Sequence, residues 1–140
     1  MSEKLLNYIV NILYDILCKI DIPTKIKILL LKSFHINLPI YFILLMLSFT
    51  QKYCNILIII WIALLILFLY FNECIFSKLE QKLIKNNIDA VDGIIYFLKL
   101  KCNHENRYII GIYVYMITLL IMSSIYIIRF RFIFNNVIYK

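Results

Sequence analysis

The residues with the most distinctive chemistry in this 140-residue chain are its four cysteines. They stand at Cys18, Cys54, Cys74 and Cys102, and none of them forms a C-x-x-C pair. Zinc modules and thiol-disulfide centres need closely spaced ligands, whereas these positions are 36, 20 and 28 residues apart. Cys102 and His104 form a lone C-x-H, which would lack a fourth metal ligand even with Cys74 added. The spacing predicts ordinary reduced thiols, with no metal site and no cofactor.

A histidine and four carboxylates are the next candidates for chemistry. His35 could titrate near neutral pH and relay protons, but as a lone histidine in an apolar run it is interpreted as structural, with a local hydrogen bond. The possible general bases are Glu73, Glu80, Asp89 and Asp92. Glu80 is expected to pair with neighbouring lysines, and the two aspartates stand where helix caps belong. Because no G-x-S-x-G, H-E-x-x-H or P-loop is present, the sequence predicts a protein without enzymatic activity and without catalytic, cofactor-binding or metal residues.

Three uncharged apolar runs must position these residues. They cover residues 33–51, 53–72 and 108–128, which are 19, 20 and 21 residues long. At about 1.5 Å rise per residue, each helix would be about 30 Å long, which is the thickness of a bilayer's hydrocarbon core. With 64% hydrophobic residues and a mean hydropathy of +0.88, the chain is predicted to be all-α, a single membrane domain over residues 1–140 with three transmembrane helices.

The segments outside these runs are predicted to form amphipathic helices. Residues 4–20 place apolar side chains at helical spacing, which favours a helix in the membrane interface or against the bundle over a fourth crossing. Residues 24–32 are either the first turns of the first span or a separate short helix. Pro39 predicts a kink, with the span effectively starting near Ile36. The loop 73–107 is predicted to be a cytosolic amphipathic segment.

Individual residues within the spans predict how the helices meet. Only Gln51 and Lys52 are strongly polar between the first two spans, so these spans are expected to form a tight antiparallel hairpin. Trp61 lies mid-span, which favours packing against a neighbouring helix over interfacial anchoring. Gly111 and Thr118 are seven positions apart on one face, where another helix could approach closely.

The distribution of positive charge predicts an orientation. Of 15 basic residues, eleven precede the first span or lie in the loop between the second and third, and four lie on the other side. The positive-inside rule therefore places the N-terminus in the cytosol and the C-terminus across the membrane. The net charge of +7 is explained by attraction to anionic lipid headgroups, and without a recognisable basic and aromatic groove no nucleic-acid partner is expected.

One segment carries a resemblance. The stretch Asn72 to Glu80, read NECIFSKLE, directly follows a span and is followed by Ile88, Asp89, Asp92 and then Asn106-Arg107 before the next span. This pattern resembles a family of small multi-span membrane proteins of large DNA viruses, in which Asn-Gly-Cys commonly follows the span. Glu73 stands where the Gly would be. The resemblance implies a multi-span protein of viral origin, in a host or virion membrane, and implies no catalytic residue.

These features leave three functions open. The first is a non-enzymatic structural or assembly component that acts through helix packing and its basic loop, with the lipid bilayer and other membrane proteins or further copies of itself as partners. The second is a small oligomeric ion channel, since self-association could multiply the sparse polar groups of the spans. The third is an accessory subunit of an organellar membrane complex.

Overall fold

The computed structural model describes residues 2–84 and 91–133, and this part of the chain contains helices and no strands. The elements are α1 (Ser2–Lys19), α2 (Thr24–Ser48), α3 (Gln51–Phe71), α4 (Ile75–Ile84), α5 (Asp92–Phe97) and α6 (His104–Ile127), with a π-helical extension over Ile128–Ile133. The all-α prediction is confirmed. The predicted cap at Asp89 lies outside the described residues.

Three helices, α2, α3 and α6, are long and apolar enough to cross a membrane, as predicted. Helix α1 is not among them. The bounds differ from the apolar runs most clearly in α2, which begins at Thr24 and so incorporates residues 24–32 as its first turns. The helix is continuous from there through Ile36 and contains Pro39. The uncharged run starts only after the lysines of these first turns, but the helix includes them. Their long side chains can extend the ammonium groups to the membrane surface. The kink at Pro39 stays a prediction.

The hairpin between α2 and α3 is as short as the sequence predicts. Helix α2 ends at Ser48 and α3 begins at Gln51, so two residues make the connection. The buried Cys54 thiol lies 3.4 Å from the Phe49 carbonyl oxygen and 3.6 Å from that of Met46. Backbone carbonyls released at the end of α2 therefore have side-chain partners.

The prediction that Trp61 packs against a neighbouring helix is confirmed. Its side chain is only 1% exposed, and its indole Nε1 donates to the Tyr115 carbonyl oxygen of α6 over 3.1 Å. The rings of Phe42 and Tyr115 lie 4.9 and 5.2 Å from the indole. Trp61 therefore joins all three spanning-length helices in the middle of the bundle.

The predicted small-residue face of α6 is also buried against the bundle. Gly111 and Thr118 are both buried, and a Cβ built on Gly111 would lie 2.5 Å from Cζ of Phe68. A larger residue there would have to displace the Phe68 ring, so glycine permits this close approach. Helix α6 itself begins where the Asn103 side chain accepts a hydrogen bond from the Asn106 amide over 2.8 Å, an N-cap that satisfies one unpaired donor.

Helices α1 and α4 form a second layer at the end of the bundle where α3 stops. Leu6 and Val10 of α1, Phe71 of α3 and Leu79 of α4 are buried together. Helix α4 also contacts α2. Helix α4, which belongs to the loop 73–107, therefore packs against the spanning-length helices. This packing places loop residues beside His35 of α2.

Candidate functional site

The candidate site begins where the chain reverses after α3. Asn72 has φ 54° and ψ 18°, the left-handed conformation that asparagine adopts more readily than most residues. Two residues later, the Cys74 carbonyl oxygen accepts a hydrogen bond from the Lys78 amide over 3.0 Å. Cys74 is therefore the N-cap of α4. Its thiol is held at the positive end of a 10-residue helix, where a negative charge is stabilised.

His35 of α2 lies between Cys74 and Glu80 of α4. Its Nε2 is 3.3 Å from the Cys74 Sγ, and its Nδ1 is 2.8 Å from the Glu80 Oε1. A carboxylate only accepts hydrogen bonds, so Nδ1 carries the proton and donates to Glu80. Nε2 is then the acceptor that faces the thiol. The three side chains form a relay from sulfur through imidazole to carboxylate.

Glu80 is buried more deeply than any other acidic residue in the described part of the chain, at 1% exposure. Its Oε2 has no hydrogen-bond partner among the described residues. The predicted pairing of Glu80 with neighbouring lysines is wrong, because Lys78 instead pairs with Glu73 over 2.9 Å. The local hydrogen bond expected for His35 is also wrong, since both of its partners lie about 40 residues further along the chain.

Tyr115 of α6 is the second polar group beside the thiol. Its side chain lines the same cavity as Cys74, and its backbone carbonyl accepts a hydrogen bond from the Trp61 indole. The cavity therefore contains a phenol from α6 in addition to the imidazole from α2. Both groups can stabilise negative charge on sulfur when they donate to it.

A cavity of about 280 Å³ lies directly beside these groups. The polar residues of its lining are His35, Cys74, Ser77, Arg107 and Tyr115. The remaining wall is largely apolar and includes the side chains of Leu38, Pro39, Trp61, Phe68 and Val114. The volume is close to the lower bound of about 300 Å³ for small-molecule pockets, and an apolar wall with a few convergent polar groups is typical of them.

Helix α5 covers one side of the cavity. Val91, Gly93 and Ile94 contribute to the lining. The helix is joined to α6 by Asp92, whose two carboxylate oxygens each accept a hydrogen bond from Arg107 over 2.7 Å. Asp92 lies in the first turn of α5, where a cap was predicted, and it also makes this bidentate ion pair.

No family model, curated protein or solved structure matches the chain.

The geometry is that of a relay rather than a chelate. Cys74 and Glu80 contact opposite nitrogens of one ring, so the three groups do not converge on a single point. No group of three metal-ligating side chains that could hold an ion occurs within residues 2–84 and 91–133. Cys18 and Cys102 are exposed free thiols, and Cys54 lies in the hairpin. Cys74 is therefore the cysteine with a histidine beside its sulfur.

The sequence contained two signals for this site. His35 is the one histidine in the first apolar run, which has no lysine or arginine, and residues 72–80 carry the short motif on which the resemblance rests. Cys74, Ser77 and Glu80 recur every three residues, which places them near one face of a short helix. The sequence alone could not show that this face meets His35.

Proposed function

We propose that this protein is an integral membrane enzyme of thiol-dependent acyl transfer, with Cys74 as the nucleophile, His35 as the general base and Glu80 as the group that orients the imidazole. The observation that carries the proposal is the pair of contacts on opposite ring nitrogens, 3.3 Å to sulfur and 2.8 Å to carboxylate. A nucleophile within reach of a base that is itself held by a third group is the arrangement that activates thiols and hydroxyls.

The reaction proceeds through a thioester on Cys74. His35 Nε2 takes the thiol proton while sulfur attacks the carbonyl carbon of an ester or thioester, and the S–C bond forms. The bond to the leaving alcohol or thiol breaks, and that group takes the proton from the imidazolium. Water or an acceptor alcohol then attacks the thioester, gives its proton to His35, and releases the acyl group with the thiol restored. Glu80 stabilises the imidazolium in both halves.

The surroundings of the site favour an acyl donor in the membrane. His35 and Tyr115 belong to helices that are long and apolar enough to span, and the adjoining cavity is mostly apolar. A water-soluble substrate would have to leave water and enter a mostly apolar cavity, which is unfavourable.

A direct test is the formation of the acyl thioester. The purified protein in lipid nanodiscs is mixed with a fluorogenic acyl thioester, and the acyl group on the protein is located by intact-mass and peptide mass spectrometry. We expect a hydroxylamine-sensitive adduct on Cys74, its absence in Cys74→Ser, and slower formation in His35→Asn. Cys102→Ser is the matched control and should behave as the wild type. Equal labelling of Cys18 and Cys102, or an unchanged rate in His35→Asn, would overturn the proposal.

A non-enzymatic assembly component, the function expected from the sequence, is the second candidate. It is supported by Tyr96 and Phe97 of α5, which are each 84% exposed outside the spanning-length helices and lie beside Lys99 and Lys101. Two large aromatic rings at such a position are suited to contact another membrane protein or a second copy. If the thioester does not form, the double variant Tyr96→Ser, Phe97→Ser tests this role by the loss of self-association in detergent.

The channel alternative has less support. Asn37, Ser48, Thr118 and Ser124 each hydrogen-bond a backbone carbonyl four residues earlier in their own helix. Their polar groups are therefore engaged locally, and they do not supply a continuous polar path.

For the orientation we propose a cytosolic N-terminus and a C-terminus across the membrane, supported by the eleven-to-four division of basic residues. The resemblance of residues 72–80 supports a host or virion membrane. A glycosylation reporter fused after Lys140 should be modified, and one fused before Met1 should not. Modification of the N-terminal reporter would reverse the assignment.

A further inference from the structure

We propose that the cavity beside Cys74 receives the apolar chain of the acyl group, and that Gly111 and Phe68 together set the length of chain it accepts. This inference rests on the proposed acyl transfer for its substrate class. It concerns what the site binds and does not depend on how fast the thioester forms.

The lining of the cavity combines the reactive groups with apolar surface. Cys74 and His35 lie together, with Sγ 3.3 Å from Nε2, and Leu38, Trp61 and Phe68 supply apolar surface in the same lining. A carbonyl placed at Cys74 would leave its hydrocarbon chain against these side chains. Each methylene buried against Leu38, Trp61 and Phe68 contributes free energy, whereas a charged or hydroxylated chain would lose its hydration against the same side chains.

The rim residues indicate where the chain comes from. Ile36 and Ile94 line the cavity and are also 48% and 43% exposed. Ile36 belongs to α2, whose sequence is long and apolar enough to span. The exposed surface of such a helix faces lipid when the helix is inserted, so the opening at Ile36 is reached from the bilayer. The source we infer is therefore an acyl chain of a bilayer lipid.

Gly111 fixes the position of the Phe68 ring. A Cβ on Gly111 would lie 2.5 Å from Cζ and 3.3 Å from Cε1 and Cε2 of Phe68. The ring is also stacked on Tyr108 at 5.4 Å and contacts Tyr115 at 5.2 Å. The ring also lines the cavity, whose volume of about 280 Å³ is much larger than that of two neighbouring spaces of about 30 Å³, so an alanine at position 111 displaces the ring into the cavity. Gly111→Ala therefore shortens the cavity, and Phe68→Leu lengthens it.

Alkylation with maleimides of increasing chain length tests this without requiring catalysis. N-ethyl-, N-butyl-, N-octyl- and N-dodecylmaleimide are reacted with the protein in nanodiscs, and the rate at Cys74 is divided by the rate at the exposed Cys102 of the same chain. We expect the ratio to rise by about fourfold for each methylene that enters the cavity, and then to level off or fall. Gly111→Ala should move that limit to shorter chains and Phe68→Leu to longer ones. Ser124→Ala, on an exposed position of α6, should leave it unchanged.

The outcomes separate this inference from the proposed function. A chain-length limit that moves with the two variants supports the inference even if no acyl transfer is detected. A ratio that is independent of length overturns it. So does a ratio that keeps rising to the dodecyl reagent and is the same in all variants, because that behaviour reflects partition into the bilayer. If Gly111→Ala fails to fold, Phe68→Leu alone decides, and an unmoved limit counts against the inference.

Discussion

Glu80, with its side chain 1% exposed, places Oε1 2.8 Å from Nδ1 of His35, a residue 45 positions earlier in the chain. This hydrogen bond joins α4, a helix of the loop, to α2. A buried carboxylate is tolerated when it is paired and hydrogen-bonded, and its second oxygen has no partner in the described part of the chain. Among the described residues, the pairing of this buried carboxylate therefore depends on one hydrogen bond.

Removal of His35 should consequently destabilise the protein more than its own packing would suggest. We expect His35→Ala to lower the free energy of unfolding by about 3–5 kcal/mol, because it leaves an uncompensated buried carboxylate. The double variant His35→Ala, Glu80→Leu should recover part of that loss. Thermal unfolding in detergent measures both, with the exposed Glu105→Ala as the control. The pairing would be contradicted if the loss of unfolding free energy in the double variant equalled the sum of the losses in His35→Ala and Glu80→Leu.

The reactivity of Cys74 should depend on the same two residues. We expect His35→Asn to slow alkylation of Cys74 by iodoacetamide about tenfold or more, since the proton acceptor at 3.3 Å is removed. Glu80→Gln should slow it less, because the imidazole remains while its orientation is weakened. The exposed Cys102 is the internal reference in each protein. Identical rates at Cys74 in all three proteins would show that the relay does not activate the thiol.

The sequence predicts the bundle well because the bundle is specified by local patterns. Apolar length identifies the three spanning-length helices, and the mid-span position of Trp61 correctly predicts its packing against a neighbour. Gly111 was predicted as a point of close approach and is one. Each of these inferences depends on residue type and on spacing within a single helix.

The site could not be predicted in the same way because it is made by contacts between distant segments. His35 meets Cys74 and Glu80 across 39 and 45 positions, and no periodicity links residues at such separations. The local alternatives were also chemically reasonable, since Glu80 is flanked by Lys78 and Lys82. In the structure, Lys78 donates a hydrogen bond to Glu73, and Lys82 donates one to Asn11 of α1. Burial of Glu80 follows from which face of α4 covers α2, and that is decided by tertiary packing.

At the opposite end of the bundle, Arg129 should stabilise the hairpin. Its Nη1 donates to the Met46 carbonyl oxygen over 2.7 Å, and that oxygen lies near the end of α2. Hydrogen bonds from a charged donor contribute about 1.5–3 kcal/mol. We therefore expect Arg129→Ala to lower the free energy of unfolding by that amount in detergent. Arg131→Ala removes an equal charge from an exposed position two residues later and should have little effect. Equal effects of the two substitutions would assign the loss to net charge alone.

The ion pair between Asp92 and Arg107 should hold α5 against the cavity. Asp92→Asn keeps the side-chain size but removes the charge and one of the two acceptors, each of which is 2.7 Å from Arg107. If the substitution costs about 1.5–3 kcal/mol, local opening of α5 becomes about tenfold to a hundredfold more frequent. Hydrogen exchange should therefore accelerate at the Ile95 and Leu98 amides, which are bonded to Val91 and Ile94. The exchange rates of the α3 amides should not change.

Glu105→Gln, an equal loss of charge at an exposed position in the first turn of α6, is the matched control. Unchanged exchange in Asp92→Asn would mean that the buried Ile95 side chain holds α5 in place without the ion pair.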